Sequence, residues 1–238
     1  MSIDLTQLAP RLAGKFVVFD GPDGSGKSSQ HRRLTEALVA GGGGVVSCRD
    51  PGGTDIGERI RSVLLDHDLS RMAVNCETLL FMASRAQLVF EVIEPALREG
   101  KTVLCDRFVT ATCAYQGAAG YDPQRVIEVA RYAIGNTWPD LSIILDVDIE
   151  AGFERIGRKK HHAGKHRKKY AGQTSLFAGG DSVPDAMEAR SLAYHRKVRE
   201  LFRELPAYYP RPVVIIDSGQ PEETVFAHVV ECLARVFG

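Results

Sequence analysis

The chain has 238 residues, 44% hydrophobic, with 30 Lys+Arg against 30 Asp+Glu, a makeup ordinary for one soluble globular domain with a full core. No run approaches the roughly 18 consecutive apolar residues of a membrane span, and the opening stretch, with Asp4 early and no basic lead into an apolar run, does not read as a secretion signal. The five cysteines, odd in number and without a CxxC pair, point to neither a disulfide framework nor a zinc site and suit a reducing cytoplasm.

The neutral balance is unevenly spread. Eight Lys/Arg and no acid lie between Arg155 and Lys169, which leaves 22 basic against 30 acidic residues elsewhere.

Residues 1–14 read as a short, partly mobile lead-in. From Phe16 the chain runs Phe-Val-Val-Phe-Asp into Gly21-Pro22-Asp23-Gly24-Ser25-Gly26-Lys27-Ser28-Ser29, a strand followed by a glycine-rich turn that opens a helix. The spacing of Gly21, Gly26, Lys27 and Ser28 is G-x-x-x-x-G-K-[ST]. In such a loop backbone N–H groups wrap a polyphosphate, the lysine reaches its β/γ oxygens, and the serine ligates Mg²⁺. A helix N-terminus beneath the same anion adds partial positive charge. These residues are therefore candidates for binding a nucleoside triphosphate.

The helix through Ala40 stops at the glycines 41 to 44, and Val45 to Cys48 is a short second strand leading into Arg49-Asp50-Pro51-Gly52-Gly53-Thr54, a turn that Pro and Gly enforce. Thr54 caps a predicted helix through Leu65. A longer helix is predicted from Val74 to Arg98, ending at Gly100. Thr102 to Cys105 is a buried strand closing on Asp106-Arg107, with helical patterns over 107–117 and 123–134 after it. Leu141 to Val147 is the fourth strand. Helix is predicted from Glu150 to about Lys160, a polar loop over 161–184, helix again from Asp185 to Leu205, a fifth strand over Val213 to Ile216, and a closing amphipathic helix carrying Val225, Val229 and Leu233. Short apolar strands alternating with helices imply a parallel α/β sheet covered on both faces, with ligands at the carboxyl ends of the strands.

That rule gathers Asp23 and Lys27 after strand one, Arg49 after strand two, and Asp106 with Arg107 after strand three. Asp106 stands where an acid holds Mg²⁺ directly or through water, although a strand-end Asp also serves as a helix cap. Arg49 and Arg107 are cations in excess of what a hydrolase needs and suit a second anion. Phe81 and Arg85, four residues apart, share a helix face on which a ring stacks on a nucleobase and a guanidinium meets its carbonyl edge.

Taken together, the phosphate loop, the segment Arg49-Asp50-Pro51-Gly52-Gly53-Thr54 with Ile56-Gly57-Glu58, the helix Phe81-Met82-Ala83-Ser84-Arg85-Ala86-Gln87, and Asp106-Arg107-Phe108 through Ala114-Tyr115-Gln116-Gly117 resemble the thymidylate kinases, in order and spacing. The resemblance covers roughly residues 15–155 and again 185 to the end. It implies a P-loop nucleoside monophosphate kinase domain over 15–238 with a five-stranded parallel sheet and a lid near 155–190. It also implies Mg²⁺-dependent transfer of phosphate from ATP to dTMP, giving dTDP and ADP in dTTP synthesis, commonly by a homodimer. Carried over, Arg49 and Arg107 hold the dTMP phosphate, Phe81 stacks on thymine, Arg85 bonds the base, Asp23 meets the deoxyribose end, and Tyr115 and Gln116 line the acceptor pocket.

Three departures bear on activity. Ala111 stands where the family usually has Ser, and Asp50 replaces the usual Glu and moves a carboxylate near Arg49. The usual Asp-Arg-x-Glu of the lid's return helix reads Asp185-Ala186-Met187-Glu188. Arg155 and Arg158, then Arg190, are the candidate lid cations. The changed residues keep open a kinase with a different nucleoside monophosphate acceptor or a catalytically weak nucleotide-binding regulatory module. The basic stretch after Arg158 keeps open a polyanion such as nucleic acid.

Overall fold

The computed structural model describes residues 5–66, 72–157 and 190–238. Five parallel strands, β1 (Phe16–Asp20), β2 (Val45–Arg49), β3 (Thr102–Asp106), β4 (Leu141–Asp146) and β5 (Val213–Asp217), form one sheet in the order β2-β3-β1-β4-β5. β1 is central and wholly buried, and its alternating side chains divide the core in two. Phe16 and Val18 join a cluster with Val103, Cys105, Phe108 and Phe202 on one face. Val17 and Phe19 join Leu34, Leu38, Leu104 and Leu233 on the other. The chain leaves β1 first toward β2 and β3 and later toward β4 and β5. A crevice therefore opens at the carboxyl end of β1, where the two halves diverge.

The helices are α1 (Leu5–Arg11), α2 (Lys27–Ala40), α3 (Asp55–Leu64), α4 (Val74–Leu88), α5 (Glu94–Arg98), α6 (Val109–Ala118), α7 (Pro123–Ile134), α8 (Ile149–Arg155), α9 (Leu192–Tyr208) and α10 (Glu222–Phe237). Thr54 caps α3 as predicted, its hydroxyl accepting from the Gly57 N–H at 2.9 Å. The long helix expected over 74–98 is continuous but carries a π turn at Val89–Ile93, just before Pro95. Proline lacks an N–H and crowds the carbonyl four residues back, and the widened turn relieves both.

Three expectations change. The lead-in is helical from Leu5, and Leu8 and Leu12 are buried in the second core cluster. The helix expected to reach Lys160 stops at Arg155, because Gly157 takes φ +73° and leaves the helical path. The return helix, expected unbroken from Asp185, is not helical at Arg190 and Ser191 and runs from Leu192, capped by Ser191, whose side chain accepts from the Tyr194 N–H; the expected start at Asp185 lies outside the described residues. Residues 158–189, including Arg158 and the rest of the basic stretch, lie outside the described residues. Among the described residues no helix is long and apolar enough to cross a membrane.

Candidate active site

The loop between β1 and α2 is shaped by its glycines. Gly21 has φ +136° and a Cβ there would stand 2.3 Å from the Leu145 carbonyl oxygen, and Gly24 has φ +74° and a Cβ would stand 2.0 Å from the Gly152 oxygen. The loop is thus pressed against β4 and α8 with no room for side chains. Lys27, 7% exposed, donates to the Gly21 and Pro22 carbonyl oxygens at 3.0 and 2.8 Å. Burial, with Arg107 adding repulsion against the attraction of Asp23, Asp106 and Asp20, lowers its ammonium to a pKa of about 8.

Ser28 Oγ donates to Asp106 Oδ2 at 3.1 Å, which joins the first turn of α2 to the end of β3. Asp106 Oδ1 is buried with no hydrogen-bond partner. A hydroxyl and a carboxylate with an unused buried oxygen, side by side at a phosphate loop, fit the oxygen donors that Mg²⁺ takes. No group of three or more His, Cys, Asp or Glu side chains suited to a metal occurs among the described residues.

Two cavities meet on this loop. One, of about 520 Å³, runs along Gly26 and Gln30 to Arg155, Ser218 and Val225, with Ser29 also on its wall. Arg155 lies across it, donating to the Ser218 and Gly219 carbonyl oxygens at 2.8 and 3.4 Å. The other, of about 340 Å³, is walled by Phe81, Arg85, Arg107, Ala111, Tyr115 and Gln116, together with Asp23 and Arg61. Gly24, Lys27, Ser28 and Ile156 border both.

Arg107 is the hub of the second cavity. It is the one non-glycine with positive φ (+70°) among the described residues, a conformation that costs a bulky residue roughly 1 kcal/mol and persists only where surroundings impose it. Its guanidinium donates to Asp23 Oδ1 at 2.7 Å, to Asp20 Oδ1 and the Gly21 carbonyl at 3.3 Å, and to the Tyr115 hydroxyl at 3.3 Å, with the Tyr115 ring 5.0 Å away. Asp20 is completely buried. Burial raises its pKa, and Arg107, Thr110, Lys27 and the Gly21 N–H work against that rise.

Arg85 is almost wholly buried, its Nε donating to Asp50 Oδ2 at 2.5 Å and its Nη2 to Phe108 O at 3.1 Å and Thr112 Oγ1 at 2.9 Å. The shortened acid at position 50 therefore serves Arg85 rather than Arg49. Arg49 is paired with both oxygens of Glu58 at 3.0 Å and lines neither cavity. Arg190 also stands away from both. It bonds Glu77 at 2.8 Å and Tyr194 at 2.9 Å.

Several residues at the site were not read from the sequence. Arg61 donates to Pro51 O at 2.9 Å and reaches the second cavity. The available signal was its place on one helical face with buried Gly57 and Leu64, an odd position for a solvated charge. Gly152 is the seat of Asp23, whose carbonyl oxygen would be 2.5 Å from a Cβ at position 152. Gly152→Ala should therefore lower stability by about 2 kcal/mol, since a backbone clash outweighs the roughly 1 kcal/mol gain in helix propensity. Thermal melting measures this, and titration should show weakened nucleoside triphosphate binding as the loop is displaced.

Comparison with known proteins accords with this geometry. The family model described as thymidylate kinase matches residues 19–229. Proteins named thymidylate kinase from Roseiflexus castenholzii (43% identical over 211 residues, 88% of each chain) and Pelotomaculum thermopropionicum (39% over 226 residues, 94% of this chain and 95% of the relative) are similar. One from Desulfovibrio desulfuricans is 38% identical over 222 residues, 93% of this chain and 94% of its own length. A matched family model that spans most of the sequence, on a five-stranded parallel sheet with a phosphate loop between two cavities, means that this chain belongs to the thymidylate kinase family.

Proposed function

We propose that the chain transfers the γ-phosphoryl group of ATP to dTMP, giving ADP and dTDP. The observation that carries this reading is the meeting of two cavities on Gly24, Lys27 and Ser28. A hydrolase needs room for one nucleotide and a water, whereas a transferase must hold two polyanions in line. The larger cavity takes ATP over residues 21–29 and the smaller takes dTMP.

Phe81 stacks on thymine and Arg85, braced by Asp50, faces its carbonyl edge. Asp23 and Tyr115 meet the sugar, and Arg107 with Arg61 holds the acceptor phosphate. Arg49 reaches that phosphate only by exchanging Glu58 for it. Ala111 leaves this pocket with one hydroxyl fewer than the family's usual Ser. Ser28 and Asp106 would hold Mg²⁺, which when bound neutralises β/γ-phosphate charge and fixes the donor's geometry. An oxygen of the acceptor phosphate attacks the γ phosphorus, and the bond to the β–γ bridging oxygen breaks opposite it. Lys27, released from the Gly21 and Pro22 carbonyls, balances the charge that grows on the departing ADP. Arg155 lies over the donor cavity as a further cation, joined by Arg158 from the lid, while Arg190 keeps its bonds to Glu77 and Tyr194. No covalent enzyme intermediate is required.

The reaction runs in the cytoplasm on this reading, a compartment that suits five free cysteines. We take the chain to act as a homodimer through the side of α4 and the π turn that leaves Leu79 and Phe90 exposed. Sedimentation at micromolar concentration tests that point.

The function is tested by coupled ADP release with ATP and Mg²⁺ across dTMP, dUMP, dCMP, UMP and AMP. dTMP is expected to be preferred, and a stronger preference for another acceptor, or ATP binding with no turnover, overturns the reading. Arg61→Met should raise the KM for dTMP about tenfold, a larger effect than Arg49→Met.

A further inference from the structure

Glu77 sits in the first turn of α4, buried, with its two carboxylate oxygens claimed by different donors. Oε1 accepts from Arg190 Nη2 at 2.8 Å and Oε2 accepts from Gln116 Nε2 at 3.3 Å. Arg190, the counter-charge, is itself held to the Tyr194 hydroxyl at 2.9 Å, and that hydroxyl donates to the Tyr115 carbonyl at 2.8 Å. The network thus closes around one wall of the smaller cavity.

A carboxylate accepts hydrogen bonds and does not donate them, whereas an amide does each from opposite ends. Gln116 is completely buried and must turn its NH₂ toward Glu77, which directs Oε1 the other way. That oxygen is buried with no partner, on a residue lining the cavity beside Phe81 and Arg85. Rotating the amide would bring its carbonyl against the carboxylate. Among the described contacts, then, the Gln116 oxygen is an acceptor held ready for a donor that the protein does not supply.

We propose that Glu77 is a positioning residue. It fixes the Gln116 amide so that the cavity offers an acceptor to a pyrimidine bearing a ring N–H, and so selects a thymine-type over a cytosine-type base. The inference rests on the acceptor reading of this cavity given above. Thymine offers a ring N–H and a carbonyl, which match the Gln116 oxygen and the Arg85 donors. Cytosine offers a ring lone pair and an amino group, which would set acceptor against acceptor and donor against donor.

The test compares steady-state kinetics of the full chain with dTMP and with dCMP. Glu77→Gln keeps the shape but can donate to Gln116 Oε1, so the amide is free to turn. Expected are a rise of about tenfold in KM for dTMP with kcat within about twofold and KM for ATP unchanged. The preference for dTMP over dCMP in kcat/KM should also fall by about tenfold. Combining Glu77→Gln with Gln116→Glu puts an acceptor-only group at position 116, oriented by a donating amide, and should restore most of the preference. A Glu77 that merely supports the fold would lower kcat/KM for both acceptors alike and would not be rescued. A preference unchanged in Glu77→Gln, or a double variant no better than the single, overturns the inference. Should the single variant melt too low to assay, the double variant is scored against wild type. Preference within about threefold then supports the inference and its loss overturns it. A wild type that turns over no dTMP removes the reading of the cavity and this inference with it. An active wild type with an unmoved preference in Glu77→Gln removes this inference alone.

Discussion

Lys27→Met should abolish nearly all turnover, lowering kcat by on the order of 10³ at saturating ATP and dTMP, and yet raise the melting temperature of the nucleotide-free protein. Both effects come from one burial. The ammonium is held beneath the phosphate loop by two backbone carbonyls, with Arg107 near enough to repel it. Its folded pKa of about 8 lies below the ordinary 10.5. The folded state therefore favours the neutral amine, and stability from this group is full above 10.5 and is lost as pH falls through about 8. At pH 7 the folded protein carries the whole penalty, about 3 kcal/mol. Removing the charge recovers that amount, less about 1 kcal/mol for each carbonyl left without its donor. A net gain of about 1 kcal/mol is about 2–4 °C in Tm at this chain length. The advantage over wild type should shrink between pH 8 and pH 10. Melting curves at pH 7 and pH 9.5, beside coupled ADP release, measure both. A variant that melts lower than wild type at pH 7 would show that the two hydrogen bonds outweigh the buried charge.

Replacing Arg107 should cost both activity and stability. Arg107→Ala is expected to lower kcat/KM for dTMP by about 10³, because it removes the central cation of the smaller cavity and the anchor of Asp23 and Tyr115. It also leaves Asp20 completely buried without the cation that most opposes its protonation, an uncompensated charge worth about 3 kcal/mol. Arg107→Gly should lose activity equally but retain about 1 kcal/mol more stability, since glycine takes φ +70° without strain. Urea unfolding of the two variants against wild type reads that difference. Equal stabilities would mean that the backbone at 107 is relaxed. A dTMP kcat/KM within tenfold of wild type would remove Arg107 from the acceptor site.

Which features were legible follows from how far apart their partners lie. The phosphate loop was read whole because strand, glycines, lysine and helix start are contiguous. The φ values at Gly21, Gly24 and Gly26 are ones that only glycine adopts freely. Phe81 and Arg85 were legible as a pair through helical spacing, and both line the smaller cavity. Arg61 and Glu77 left weaker traces, charges on buried helix faces whose partners, Pro51 for one and Arg190 with Gln116 for the other, belong to other elements. Asp50 was expected near Arg49, its neighbour in the chain. It turns to Arg85, 35 residues on, while Arg49 turns to Glu58.

By itself the sequence determined the elements, the parallel sheet, the phosphate loop and the resemblance to its family, because alternation, caps and glycine conformations act between near neighbours. The tertiary structure decided the pairings. The order β2-β3-β1-β4-β5 brings the ends of β1 and β3 side by side, so that Ser28 meets Asp106 and Arg107 reaches Asp20 and Asp23 across more than 80 residues of chain. The same packing seats Gly24 on Gly152, a contact with no local signature. A buried charge takes whichever opposite charge or dipole the fold brings within hydrogen-bond reach, because desolvation makes any unpaired alternative costly. That reach is set by strand order and helix packing rather than by distance along the chain.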